Sequence, residues 1–137
     1  MFASKYSACI VLGIAALVTG CATTGTTLRS SAERLERSAY DLSDETRDAD
    51  ASGDYRRDAR AFAEETRDFR RVVEDRDSDD RDIKKAFGDL SERYHALRDE
   101  AEDSSRAETR DDFRDVTEAY LDVEREVGDV RRVASDN

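Results

Sequence analysis

The chain has 137 residues, with 34 acidic and 23 basic side chains, a formal net charge of −11, and 42% of its positions charged. That length allows one small domain. Two Cys cannot supply a disulfide scaffold, and an acidic surface repels nucleic-acid phosphates. Only one apolar run occurs, which excludes a polytopic membrane protein.

Residues 1–20 read as a secretory signal. Lys5 supplies the positive start, and an apolar stretch runs from Ala8 to Val18. It falls short of the ~20 residues needed to span a hydrocarbon core. The stretch ends in Val18-Thr19-Gly20-Cys21. That tetrapeptide resembles the bacterial lipobox, in which an aliphatic residue and two small ones precede the Cys that becomes the lipid-bearing N-terminus. The −3 position holds Val18 where Leu is commoner. The resemblance covers residues 1 to about 22 and implies diacylation of the Cys21 thiol, cleavage before it and acylation of the new amine. Acyl chains gain about 0.8 kcal/mol per buried methylene, so two or three hold a domain firmly to a bilayer. In Gram-negative lipoproteins an Asp after the Cys favours retention at the inner membrane. Ala22 stands here, so the resemblance implies an outer-membrane anchor with the domain facing the periplasm. Cys9 leaves with the signal, so no intrachain disulfide is expected in the mature chain.

Residues 21–29 are expected as a lipidated tether and 30–134 as a helical domain, with 135–137 as a tail. Across that domain the sparse apolar residues recur at alternating steps of three and four, the stride that lines one face of a helix. The first series is Leu28, Ala32, Leu35, Ala39, Leu42, Thr46 and Ala49; the second is Tyr55, Ala59, Phe62, Thr66, Phe69 and Val73. The third is Ile83, Phe87, Leu90, Tyr94, Leu97 and Ala101; the fourth runs Thr109, Phe113, Val116, Tyr120, Val123, Val127, Val130 and Ala134. Val72, Leu121 and Ala61 flank these stripes. The period of two that a strand requires is absent.

The breaks carry capping chemistry. Ser52-Gly53-Asp54 offers a Gly stop and an Asp N-cap, Ser78-Asp79-Asp80 offers N-cap oxygens, and Ser30-x-x-Glu33 and Ser105-x-x-Glu108 match capping boxes. Helices are therefore predicted over 28–51, 54–76, 79–103 and 105–133. Short connections favour antiparallel neighbours. The expected fold is all-α, an antiparallel up-down-up-down four-helix bundle with heptad-like seams. Gly88 and Gly128 lie beside the stripes, where they permit either a close helix approach or a bend.

Candidate sites are few. Glu92-x-x-His95 has the spacing used in di-iron bundles, but those need two such motifs, and His95 is the only His. His95 follows Tyr94, which puts it on a helix flank. Haem ligation lacks a second axial ligand. Asp75-x-Asp77-x-Asp79 begins like an EF-hand loop, but Asp80 stands where Gly is needed and Ala86 where the bidentate Glu belongs. Glu-Thr-Arg-Asp recurs at 45–48, 65–68 and 108–111, each time with Thr on the stripe, where its hydroxyl can bond back to its own helix. No catalytic, cofactor-binding or metal-binding residue is expected, and no enzyme; the single assigned site is lipidation at Cys21. The expected function is a membrane-anchored periplasmic lipoprotein with a structural or protein-interaction role in the envelope. The alternatives are an acidic inhibitor or immunity protein directed at a basic wall-acting enzyme, and a weak divalent-metal binder. Expected partners are the membrane, through acyl chains on Cys21, and a protein. A second copy of the chain remains open, and nucleic acid is not expected.

Overall fold

A computed structural model describes residues 22–48, 51–103 and 107–135, with side chains placed for 27–47, 51–103, 110–111 and 113–129. The signal, Cys21, the Ser105 capping box and the inward positions Ala49, Thr109, Val130 and Ala134 lie outside the residues or side chains described. The fold is all-helical, with four helices: α1 (Ala22–Asp48), α2 (Gly53–Glu74), α3 (Asp80–Asp103) and α4 (Ala107–Ser135). No strand occurs among the described residues.

The three-four stride sets which side chains turn inward. Leu28, Ala32, Leu35, Ala39, Leu42 and Thr46 of α1 are all buried. So are Tyr55, Ala59, Phe62, Thr66 and Phe69 of α2, and Leu90, Tyr94, Leu97 and Ala101 of α3. From α4 come Phe113, Val116, Tyr120, Val123 and Val127. Val73, Ile83 and Phe87 are only partly buried and pack against this core near one end. Ala63, Ala119 and Ser43 are also interior. Each adjoins a larger inward residue and widens the stripe with little volume. Leu121 departs from the expectation: it is 47% exposed, the one large apolar side chain on the described surface.

Residue size governs how the helices approach. α1 and α2 pack closely, and Ala32, Ala39, Ala59 and Ala63 on these helices are fully enclosed. α1 also packs on α4, and α2 on α3. Of the four packed pairs, α3 and α4 approach each other least, and rings fill the space between them. Tyr94 and Tyr120 stack with centroids 3.8 Å apart and planes within 3°. Phe87 stacks on Tyr120 at 5.8 Å and Phe113 on Tyr94 at 5.6 Å. Rings from α3 and α4 thus alternate in one pile, and such pairs contribute ~0.5–1.5 kcal/mol beyond their buried area. Both phenols are satisfied. Tyr94 donates to Thr117 Oγ1 at 3.3 Å, Thr117 donates in turn to the Phe113 carbonyl at 3.0 Å, and Tyr120 donates to Ser91 Oγ at 2.9 Å. Burial pushes the Tyr120 phenol pKa up, which keeps it a neutral donor.

The caps differ from expectation in instructive ways. α2 is capped by Ser52, whose Oγ accepts from the Tyr55 N–H at 3.1 Å; Asp54 lies within the first turn, where its charge suits the helix dipole. Ser30 is no cap, because α1 begins at Ala22 and carries it inside the helix. The stretch 22–29, expected as a tether, is thus helical, and Leu28 already belongs to the core. Of the cap oxygens offered by Ser78-Asp79-Asp80, that of Asp79 caps α3, which begins one residue later than expected. The Asp79 carboxylate accepts from the Arg81 and Asp82 N–H groups at 2.8 and 3.0 Å, and Asp82 reaches back to the Asp79 N–H at 3.2 Å. This is a capping box closed by Asp in place of Glu.

A Cβ added at Gly88 or Gly128 meets nothing within 4 Å, so neither glycine serves a close helix approach. Gly88→Ala is expected to raise unfolding stability by about 0.5–1 kcal/mol through helix propensity alone. Phe69→Ala, which opens the core, is expected to lower it by about 3–5 kcal/mol. Urea unfolding of the two variants followed by circular dichroism checks both signs.

Candidate functional site

Among the described residues the surface of the bundle is a lattice of carboxylates and arginines, and its concave places lie between helices. A groove with acidic walls, about 540 Å³, runs between α1 and α4. Asp41, Asp44 and Glu45 line it from α1, and Asp111 and Asp115 from α4, with Arg114 the cation among them. Further along the same pair of helices, Thr27, Ser30 and Ser31 face Asp122 and Glu126 across a second groove of about 430 Å³. Thr27 donates to Glu126 there at 3.0 Å. Between α2 and α3 a cleft of about 320 Å³ has Phe69, Val72 and Ala86 in its wall.

Two arginines tie helices together. Arg34 of α1 reaches Asp122 of α4 at 2.9 Å, with Glu118 at 3.8 Å. Arg70 of α2 pairs with Glu36 of α1 and, at 2.8 Å, with Glu74 one turn along its own helix. The Glu74 hydrogen bond, supported by Glu36, raises the Arg70 pKa and keeps the guanidinium charged. Arg70 lies off the apolar stripe, yet it is a tie between α1 and α2. Sequence spacing conceals this, because Glu36 comes from another helix. Beside it, the Arg67 guanidinium lies 5.8 Å from the Tyr40 ring centroid, a cation–π contact across the same two helices.

The sequence-derived candidates separate in space. His95 is exposed on α3, its ring edge-on to Tyr94 at 5.5 Å. The acids of 75–82 serve the backbone. Asp75 Oδ1 accepts from the Asp77 N–H at 3.0 Å, and Asp79 and Asp82 close the α3 cap. No group of three or more His, Cys, Asp or Glu among the described residues is placed to hold a metal ion. In two of the three Glu-Thr-Arg-Asp echoes the Thr is buried and bonds back to its own helix: Thr46 to the Ser43 carbonyl at 2.9 Å and Thr66 to the Ala63 carbonyl at 2.8 Å. The bond is i to i−3. The Thr109 side chain lies outside those described. No described helix is long and apolar enough to cross a membrane. Comparisons with protein-family models, curated proteins and solved structures find no match.

The Asp79 carboxyl is held below its ordinary pKa, first by the Asp82 N–H and then by the Arg81 N–H. A carboxylate whose folded pKa is depressed stabilises the fold above its unfolded value, and that contribution is lost as pH falls through the folded one. Asp79→Ala is therefore expected to lower the melting temperature at neutral pH and to flatten its fall in strong acid below about pH 4. Thermal melts of wild type and variant at pH 7 and pH 3 measure it. Arg70→Asp, which puts a third carboxylate between Glu36 and Glu74, is expected to lower the melting temperature clearly, whereas the exposed Arg71→Gln leaves it nearly unchanged; paired melts in one buffer compare them.

Proposed function

We propose that the chain is a lipoprotein anchored through Cys21 to the outer membrane, facing the periplasm, where its bundle has a structural or protein-interaction role in the envelope. The observation that carries the anchor is the Val18-Thr19-Gly20-Cys21 motif behind a short apolar run and Lys5. α1 starts at the next residue, Ala22, so the bundle would stand directly on its acyl chains. On this reading the bundle runs up-down-up-down with heptad seams. Support comes from pairs whose numbering runs in opposite senses on neighbouring helices: Glu36 with Arg70 and Tyr40 with Arg67, Phe62 with Tyr94 and Phe69 with Phe87, Phe87 with Tyr120 and Tyr94 with Phe113, Thr27 with Glu126 and Arg34 with Asp122. The expected outcome for Cys21→Ser is release from the membrane pellet and loss of radioactive palmitate labelling. Retention of both would overturn the anchor.

The acid-lined α1–α4 groove favours a second reading, an inhibitor or immunity protein that neutralises a basic wall-acting enzyme. Charge complementarity of that kind acts mainly through fast, salt-sensitive association. Capture of a wall hydrolase from periplasmic extract at low salt, lost at high salt, is the expected outcome; capture of envelope assembly proteins unaffected by salt favours the first reading.

A further inference from the structure

The α2–α3 cleft combines two features that the other grooves do not. Phe69, Val72 and Ala86 give it an apolar floor, and Glu65, Asp68, Asp82 and Asp89 stand on its rim against the single cation Lys85. Three of those carboxylates are engaged. Asp68 is held by Arg71 at 3.1 Å, Asp89 by Lys85 at 3.4 Å, and Asp82 by the Asp79 N–H at 3.2 Å. Glu65 makes no hydrogen bond or ion pair among the described residues, although it is half-buried. Burial raises its pKa; Asp89 and Asp68 add to the rise, and Arg93 and Lys85 oppose it more weakly. A partly buried carboxylate with no hydrogen bond or ion pair of its own, beside an apolar floor, is the complement of a cation carried on an aliphatic stem.

We propose that this cleft is a docking socket for an arginine side chain of a protein partner, its stem over Phe69, Val72 and Ala86 and its guanidinium on the Glu65 carboxylate. Arginine fits better than lysine, because its planar fork can give two parallel N–H bonds to one carboxylate and sheds its hydration more readily. The partner therefore has a basic surface, and the inference deepens the protein-interaction reading on which it rests. The guanidinium favours ionised Glu65, so docking opposes the rise in that group's pKa. Binding thus strengthens as pH rises through the raised pKa of that group.

The probe is acetyl-arginine-amide, titrated into the isotope-labelled full chain in detergent micelles and followed by two-dimensional NMR, with the neutral near-isostere acetyl-citrulline-amide as reference. The expected result is a saturable set of shifts centred on Glu65, Phe69, Val72 and Ala86 and absent with citrulline. Glu65→Gln should weaken half-saturation about tenfold, the loss of one charge-assisted pair. Asp44→Asn in the α1–α4 groove should change it less than twofold, and both variants should keep the wild-type melting temperature or exceed it. Shifts spread over all acidic faces, equal losses in the two variants, equal response to citrulline, or no saturation would each overturn the socket. The test does not depend on anchoring at Cys21. Photo-crosslinking in cells separates the two ideas. A partner captured from a probe on another face, with this cleft silent, leaves the interaction reading standing and removes the socket.

Discussion

Scarcity of apolar side chains is the constraint that orders this molecule. With charged residues at 42% of the chain and a mean hydropathy of −0.86, a core exists only if nearly every greasy side chain is turned the same way along each helix. Among the described residues that is what happens, with Leu121 the exception. Burial of each large side chain contributes about 1.5–3 kcal/mol, and several stripe positions are Ala or Thr, which contribute less. Interior threonines are tolerated because Thr46 and Thr66 bond to their own helix and bring no unpaired hydroxyl into the core. The four rings shared by α3 and α4 supply bulk that the enclosed alanines of α1 and α2 do not. The same interior is therefore tight on one side and wide on the other.

Much of this was readable from spacing. A stride of three and four is a strong signal when the intervening residues are nearly all charged, since polar–apolar contrast is then at its greatest. Boundaries were harder. Ser30-x-x-Glu33 has the form of a capping box, but in a chain this rich in Ser and Glu the pattern also arises by composition, and the helix starts at Ala22. At the break between α1 and α2, spacing pointed to Asp54 as the cap; the role falls to Ser52 because of backbone angles, φ −60° and ψ 151°, that spacing does not reveal. The α3 cap was legible as a choice among Ser78, Asp79 and Asp80, because a polar turn ahead of a fresh apolar stripe has few other uses; the backbone settles it on Asp79.

The candidate site was less legible, for a physical reason. A groove is made by two helices, and one-dimensional periodicity says which face turns inward but not which flanks meet. Arg70 looked like an ordinary solvated charge on the flank of α2 until Glu36 of α1 was placed beside it. Glu65 stood within one of three similar Glu-Thr-Arg-Asp segments, and what sets it apart from the exposed Glu45 is burial first and then the approach of Asp89 from α3. Attention to the repeated threonine was directed at the inward residue, whereas the residue beside it on the rim is the one with unmet electrostatics.

The choice of arginine over lysine fits the same logic. Lys84 and Lys85 are the only lysines beyond the signal segment, and every other basic residue there is Arg. Exposed ion pairs within one helix are worth only tenths of a kcal/mol each, whichever cation supplies them, so pair energy does not explain the bias. Geometry does. A guanidinium presents donors on several edges, so Arg34 can hold Asp122 with one nitrogen while Glu118 lies near another, and Arg70 can join acids on two helices. An ammonium is a point charge that would serve one acid at a time. In a bundle with a thin core, such ties add specificity in how helices meet. They also consume carboxylates selectively, so that acids left out of the ties, Glu65 foremost, define where a basic partner has something to gain.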